Sequence, residues 1–164
     1  MKFLLVDRIE RIEPGKRIVT VKALSLAEEY LADHFPTFPV MPGVLMLEAM
    51  VQAAAWLVRL QQDFSRSIVV LSVAKNVRYS SFVAPGHVLR CDLEATEIGP
   101  DGAKFKGAAT VDDRQAVSAR LELKCFNLRD RQAYLAAADE EIVRSLRGRF
   151  KIIGGEEALA AASS

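Results

Sequence analysis

Between Gly43 and Gln61 the chain reads GVLMLEAMVQAAAWLVRLQ, and from Val44 to Leu60 only Glu48, Gln52 and Arg59 interrupt an apolar run. Leu, Met and Ala are strong helix formers, so the segment is read as a helix. Its apolar side chains fall on nearly every side, which means it has to be surrounded by protein rather than laid on a surface. The run falls short of the ~20 unbroken apolar residues that cross a bilayer. A helix buried all round needs a wrapper, and the rest of the chain has to supply it.

Immediately upstream, Asp33-His34-Phe35-Pro36-Thr37-Phe38-Pro39-Val40-Met41-Pro42-Gly43 places three prolines within seven residues, which forbids a helix there. Leu26 to Leu31 allows one or two helical turns. Before it, Ile9, Ile12, Ile18, Val19 and Val21 flank Glu13-Pro14-Gly15-Lys16, a turn sequence that predicts a β-hairpin. Downstream of Ser65, four long strands are read at Ile68 to Tyr79, Val88 to Ile98, Ala103 to Val111 and Ala116 to Phe126. Pro85-Gly86, Gly99-Pro100-Asp101-Gly102 and Asp112-Asp113 separate them. About six strands and one all-round apolar helix make an α+β unit in which a curved antiparallel sheet wraps the helix.

Beyond Asn127 an amphipathic helix is predicted, with Leu135, Ala138, Ile142, Leu146 and Phe150 on one face and Asp139, Glu140, Arg144 and Arg147 on the others. Residues 154–164 are small and lack an apolar pattern, so a flexible, frayed tail is expected. The expected organisation is therefore 1–126 as the folded domain, 127–153 as a helical extension and 154–164 as tail.

The 164 residues fit one domain, and 22 Lys+Arg against 21 Asp+Glu leave a net charge of +1. That balance provides no broad positive field for nucleic acid or anionic lipid, so neither nucleic-acid binding nor membrane insertion is expected. Lys2 and the apolar run from Phe3 to Val6 are cut short by Asp7, Arg8 and Glu10 before a secretory segment could form. Cys91 and Cys125, with only His34 and His87 beside them, make neither a disulfide framework nor a metal site. Both cysteines read as strand packing residues, and a cytoplasmic location fits them.

Two residues stand out chemically: His34 in the proline-rich loop and Glu48 in the apolar helix, with Gln52 four residues later. A carboxylate buried without partners costs several kcal/mol, so Glu48 needs a donor, a wet cavity or another subunit. Glu48 and Gln52 as a structural polar pair, with His34 an ordinary loop histidine, is one reading; a catalytic pair is the other.

The string His34-Phe35-Pro36, Pro39, Met41-Pro42-Gly43-Val44-Leu45, Glu48-Ala49 and Gln52 closely resembles the 3-hydroxyacyl-acyl-carrier-protein dehydratases of the hot-dog fold. The resemblance extends to Leu5-Val6-Asp7-Arg8-Ile9, Pro14-Gly15-Lys16, Lys75 to Arg78 and Val83-Ala84-Pro85-Gly86, covering roughly residues 3 to 126. It implies dehydration of 3-hydroxyacyl chains on acyl carrier protein to trans-2-enoyl chains, without a cofactor or metal. It further implies a homodimer with shared sites, extending to a trimer of dimers. His34 matches the family's catalytic histidine and Glu48 its catalytic glutamate, supplied from the opposite subunit. Gly43, Val44 and Gln52 match substrate-binding positions, Gly43 being the helix-start glycine whose amide faces the thioester carbonyl.

The chemistry asks for these residue types. Eliminating water means removing a proton α to a thioester and protonating a departing β-hydroxyl; an imidazole titrating near pH ~6.5 can do the first, and a carboxyl raised by apolar surroundings the second. The enolate charge falls to helix N-terminal amides, which a glycine leaves accessible. Asp33 and Thr37 stand where the family usually has Gly, and His87 where it commonly has Asp. Asp33 reads either as a partner that raises the basicity of His34 or as a solvated loop charge; His87 reads as a loop residue. An isomerising relative usually carries Asp in place of Glu48. The competing functions are a hot-dog thioesterase and a catalytically silent acyl-binding scaffold. Met46, Met50, Trp56, Tyr79 and Phe82 are candidates to set chain length, and Lys75, Arg78, Arg120 and Lys124 to touch the carrier.

Overall fold

The computed structural model describes residues 3–163, so Lys2 of the N-terminal run and Ser164 of the expected tail lie outside the described residues. Strands β1 (Arg8–Glu13) and β2 (Arg17–Ala23) form the hairpin. Its turn closes through the Lys16 N–H donating to the Glu13 carbonyl at 2.9 Å. Pro14 presets the first central dihedral, and Gly15 takes the φ of +70° that a side chain would resist. Helix α1 (Gly43–Gln61) follows, then β3 (Ile68–Tyr79), β4 (Val88–Ile98), β5 (Gly102–Val111) and β6 (Arg114–Phe126). β6 begins earlier than the apolar pattern predicts. Asp112 and Asp113 both adopt left-handed φ values, +49° and +60°, which makes the tight two-residue turn that joins β5 directly to β6.

All neighbouring strands pair antiparallel in the order β1-β2-β4-β5-β6-β3, so β1 and β3 are the two edges. The sheet wraps α1, which packs on five of its strands. Leu89, Cys91 and Leu93 of β4, Phe105 of β5 and Leu121 of β6 share the core with Met50, Ala53, Ala54 and Leu57 of α1. Among the described residues α1 is the one helix with the length and hydropathy of a membrane span, and it is the buried centre of the fold. Cys91 and Cys125 are free and buried, and burial pushes the Cys91 thiol up to about 12, which leaves it a packing residue.

The C-terminal region departs from expectation twice. Where residues 154–164 are read as frayed, Gly155–Ala162 forms a helix, α3, that lies against β1. Ala158 is buried there, and the Ile9 N–H of β1 donates to the Ile153 carbonyl at 2.8 Å just before α3 begins. The edge of β1 is thereby covered, which removes the exposed backbone that an edge strand offers to other chains. Asp139 of α2 (Ala136–Ile152) is read from the sequence as part of the solvated face, yet it is buried. Its carboxylate accepts the N–H groups of Leu128 and Arg129 at 2.9 and 3.0 Å, the Arg129 Nε–H at 3.1 Å, and the Ser67 hydroxyl. Burial alone would raise this carboxyl; the Ser67, Arg129 and Leu128 donors outweigh it and hold it well below the usual carboxylate range.

Candidate active site

The first turn of α1 begins without a side-chain cap. Pro42 precedes it, and the Leu45 and Met46 N–H groups both turn back to the Pro42 carbonyl, at 2.9 and 3.2 Å. The N–H groups of Gly43 and Val44 have no acceptor among the described residues, so the helix presents two free donors and the positive end of its dipole. Gly43 lies under the Tyr79 ring, and a Cβ there would stand 3.1 Å from a ring carbon. A side chain at this position would push against Tyr79 and cover the donors.

His34, half-buried, sits at the start of the loop that leads to this turn. Phe35 next to it is held at a left-handed φ of +49°, and its ring lies 4.5 Å from the imidazole centroid. Pro36 and Thr37 form the middle of a turn closed by the Phe38 N–H on the Phe35 carbonyl at 2.8 Å. Phe38 packs edge-on to Phe82 at 5.9 Å, and the Met41 N–H donates to the Val83 carbonyl at 2.8 Å. The loop is thus fastened to the segment between β3 and β4, with a non-glycine residue in a conformation that such residues rarely adopt beside the imidazole.

Glu48 stands in the second turn of α1, half-buried, and accepts the Gln52 Nε2–H at 3.0 Å. Gln52 also donates to the Phe3 carbonyl at 3.1 Å and accepts the Leu5 N–H at 3.0 Å. Its amide is fully engaged, so it positions Glu48 and ties the N-terminal segment to α1 instead of offering free groups to a substrate. Val44 is exposed beside the free donors.

Within one chain no hydrogen bond or ion pair among the described residues joins His34 to Glu48, nor Asp33 to His34. His87 pairs with Asp112, Nδ1 to Oδ2 at 2.9 Å, and the two line a cavity of about 310 Å³ with Ser81, Phe82 and Arg114. A larger cavity of about 710 Å³, bounded by Arg17, Asp92 and Lys106, lies on the far side of the sheet and contains none of the candidate residues. Sequence reasoning missed Lys22, which is buried in β2 and bonded to Glu28 at 2.7 Å, Asp7 at 3.2 Å and the Ala23 carbonyl at 2.7 Å. Burial would lower the Lys22 ammonium; the Glu28 and Asp7 carboxylates overcome that and raise it. Lys22 anchors the segment that leads toward the His34 loop, and its alternation with Thr20 toward the core was the one available signal.

Residues 1–120 match the family model described as the FabA-like domain. The chain is 40% identical over 119 residues to the 3-hydroxyacyl-[acyl-carrier-protein] dehydratase FabZ of Clostridium acetobutylicum, covering 72% of this chain and 84% of that protein. It is 43% identical over 123 residues to the enzyme of the same name from Aromatoleum aromaticum, covering 73% and 84%. Among solved structures, the dehydratase heterocomplex ApeI:P from Xenorhabdus doucetiae superposes with a TM-score of 0.67 at 16% identity, over 81% of this chain and 90% of that one. A mutant of thioesterase PA1618 from Pseudomonas aeruginosa gives 0.57 at 16% identity, over 74% and 81%. At such identities these two likenesses carry the fold only.

Proposed function

Since this chain belongs to the family of the FabA-like domain, we propose that His34 and Glu48, one from each of two protomers, carry out its chemistry. The protein is a 3-hydroxyacyl-acyl-carrier-protein dehydratase of fatty-acid biosynthesis and takes its acyl chains from acyl carrier protein. His34 removes the proton on C2 of the thioester, and the charge moves onto the carbonyl oxygen, which the free N–H groups of Gly43 and Val44 receive. The C3–O bond then breaks, C2 and C3 become a trans double bond, and the departing hydroxyl takes the Glu48 proton and leaves as water. Gln52 holds Glu48 in place. The hot-dog domain of residues 1–126 carries the whole site; the extension after it carries none.

The observation that supports this reading most directly is the uncapped start of α1, where two unpartnered N–H groups lie beside exposed Phe35, Phe38, Val44, Tyr79 and Phe82. A single chain has no reason to leave this patch bare, whereas an acyl chain and a second protomer would cover it. β3 supports the dimer in turn, being an uncovered edge strand with Val70 and Val73 exposed. A dimer is the smallest working unit in this reading, three dimers make the larger assembly, and the protein works in the cytoplasm.

The test is to incubate the purified protein with 3-hydroxyacyl carrier proteins of several chain lengths and follow both enoyl formation and thiol release. Enoyl product without thiol is expected, with His34→Ala lowering the rate by ~10²–10⁴-fold in a folded protein. Thiol release without enoyl product would make it a thioesterase, and wild-type rates from His34→Ala would remove His34 from the chemistry.

A further inference from the structure

Lys22 of β2 is only 6% exposed, and all three donors of its ammonium are engaged. They go to Glu28 Oε1 at 2.7 Å, the Asp7 carboxylate at 3.2 Å and the Ala23 carbonyl at 2.7 Å. Asp7 is locked in turn, its Oδ2 accepting the Ala23 N–H at 2.7 Å. Stability alone does not call for such a cluster, because apolar residues of similar volume in place of a buried ion pair are often neutral or stabilising. What the ion pairs supply is a fixed point on the sheet to which two separate stretches of chain are tied.

Those stretches lead to the two side chains on which the chemistry depends. From Asp7 the chain runs back to Leu5, whose N–H donates to Gln52 Oε1 at 3.0 Å, and to Phe3, whose carbonyl accepts the Gln52 Nε2–H at 3.1 Å. The same Nε2 donates to Glu48 at 3.0 Å. From Glu28 the chain runs forward into a single turn at Glu29–Leu31, closed by the Leu31 N–H on the Glu28 carbonyl at 3.1 Å, and reaches His34 three residues later. Tyr30 and Leu31 are buried, which fixes this turn on its apolar side as well. The rings of Phe3 and Tyr30 meet at 6.2 Å, and both stretches line one cavity of about 320 Å³ together with Lys22.

We propose that Lys22 is a positioning residue for both His34 and Glu48, holding the first through Glu28 and the second through Asp7 and Gln52. The proposal rests on the reading of the function above and deepens it. In that reading each site of the dimer takes His34 from one protomer and Glu48 from the other, so one Lys22 serves a different residue in each of the two sites. A chain without it therefore damages both sites of any dimer that it enters, whereas a chain without His34, or without Glu48, damages one.

Lys22→Met keeps the length of the side chain and removes the ammonium. In the purified homodimer, assayed below its unfolding transition, kcat for a 3-hydroxyacyl carrier protein is expected to fall ~10–10²-fold with KM little changed. Two mixed dimers, purified through different tags, separate the two arms. Paired with His34→Ala, the Lys22→Met chain leaves one site whose only fault is a misplaced His34; paired with Glu48→Ala, it leaves one whose only fault is a misplaced Glu48. Both mixtures should run several-fold slower than the same mixtures made with a wild-type chain in place of Lys22→Met. Rates equal to those references would make Lys22 merely structural, and a loss in only one mixture would overturn the shared anchor. Asp7→Asn and Glu28→Gln cut one arm each and serve if Lys22→Met folds poorly: each homodimer should slow, and the dimer of one with the other should regain an intact site, the absence of that recovery overturning the proposal. Hydrogen exchange gives a readout free of the reaction. In Lys22→Met the amides of Leu5 and Leu31 should exchange faster, while that of Ile9, bonded to the Ile153 carbonyl, stays protected. If wild type does not dehydrate the carrier substrate yet both amides respond, the functional reading falls and the anchor stands; if wild type dehydrates it and neither rate nor amide responds, the reading stands and the anchor falls.

Discussion

The two ends of α1 are built on opposite terms. At its start, Gly43 and Val44 keep free N–H groups, and five large apolar residues around them are exposed. At its end the backbone turns are closed, with the Gln62 N–H on the Val58 carbonyl at 3.0 Å and the Phe64 N–H on the Arg59 carbonyl at 2.7 Å. There Trp56, Phe64 and Phe150 of α2 cluster with ring centroids 6.0 and 5.8 Å from Phe150, and the Arg59 guanidinium stacks over Trp56 at 5.3 Å. Burial lowers the Arg59 guanidinium to about 10. Backbone donors and large apolar side chains are left bare together at the start of α1, whereas the unpartnered Arg59 Nε and Gln62 Oε1 at its other end are buried. The other end is sealed by the chain's own C-terminal extension. In the function proposed for this chain, one helix thus separates reactivity from stability along its length.

The largest effect that could break this division is at the open end. If His34 and Glu48 of one site come from two chains, His34→Ala and Glu48→Ala homodimers each have two defective sites. A mixed dimer of the two variants collects both lesions in one site and neither in the other. Each homodimer is expected to lose ~10²–10⁴-fold in rate, and the mixed dimer, purified through two different tags, to recover about half of wild-type activity. Activity that stays at the single-variant level would place both residues in one chain and leave the bare patch around Gly43 without its explanation.

At the sealed end Phe150→Ala removes the ring that Trp56 and Phe64 pack against. The expected cost is about 3 kcal/mol, at the lower end for a buried phenylalanine because the cluster lies at the margin of the core. In a chain of this length that lowers Tm by roughly 6–12 °C. Thermal unfolding measures it, and turnover at a temperature where the variant remains folded should match wild type. A loss of kcat there would mean that the two ends are coupled.

The division also explains what the sequence could convey. Helix α1 and the strands were legible because their patterns are local: an apolar run for the helix, alternation between turn residues for the strands. His34, Glu48 and Gly43 could be singled out as candidates because a short, specific string carries them, and the structural pairing of Glu48 with Gln52 is present in the fold. What escaped was every feature decided by which surfaces meet. Asp139 lies at the correct helical spacing for a solvated face and becomes buried only because the 128–129 backbone and Ser67 converge on it. Lys22 is buried because Asp7 and Glu28 reach it from other segments. The α3 segment shows too little apolar pattern to be read as packed, although Glu156 and Glu157 in its first turn and the alanines that follow favour a helix once β1 offers a surface.

The smallest effect concerns how the extension is latched. Asp139→Asn keeps the shape but removes the charge that four donors converge on, at an expected cost of about 2 kcal/mol at neutral pH. The direction of its pH dependence follows from the depressed carboxyl of the folded chain. An aspartate in the unfolded chain titrates near ~3.9, so above that pH the folded state has the full benefit of the carboxylate. As pH falls below ~4 the unfolded chain takes up the proton first, and the benefit is lost progressively until the folded carboxyl itself titrates. Wild type should therefore lose stability more steeply than Asp139→Asn as the medium is acidified from pH ~5, and the two denaturation midpoints should converge. Other depressed carboxyls, such as that of Asp92 beside Arg17, are common to both proteins and cancel in the comparison. Midpoints that stay parallel would mean that the charge on Asp139 does not hold the latch. Because the latch belongs to the sealed end, turnover at neutral pH should be the same in both proteins even though their acid stability differs.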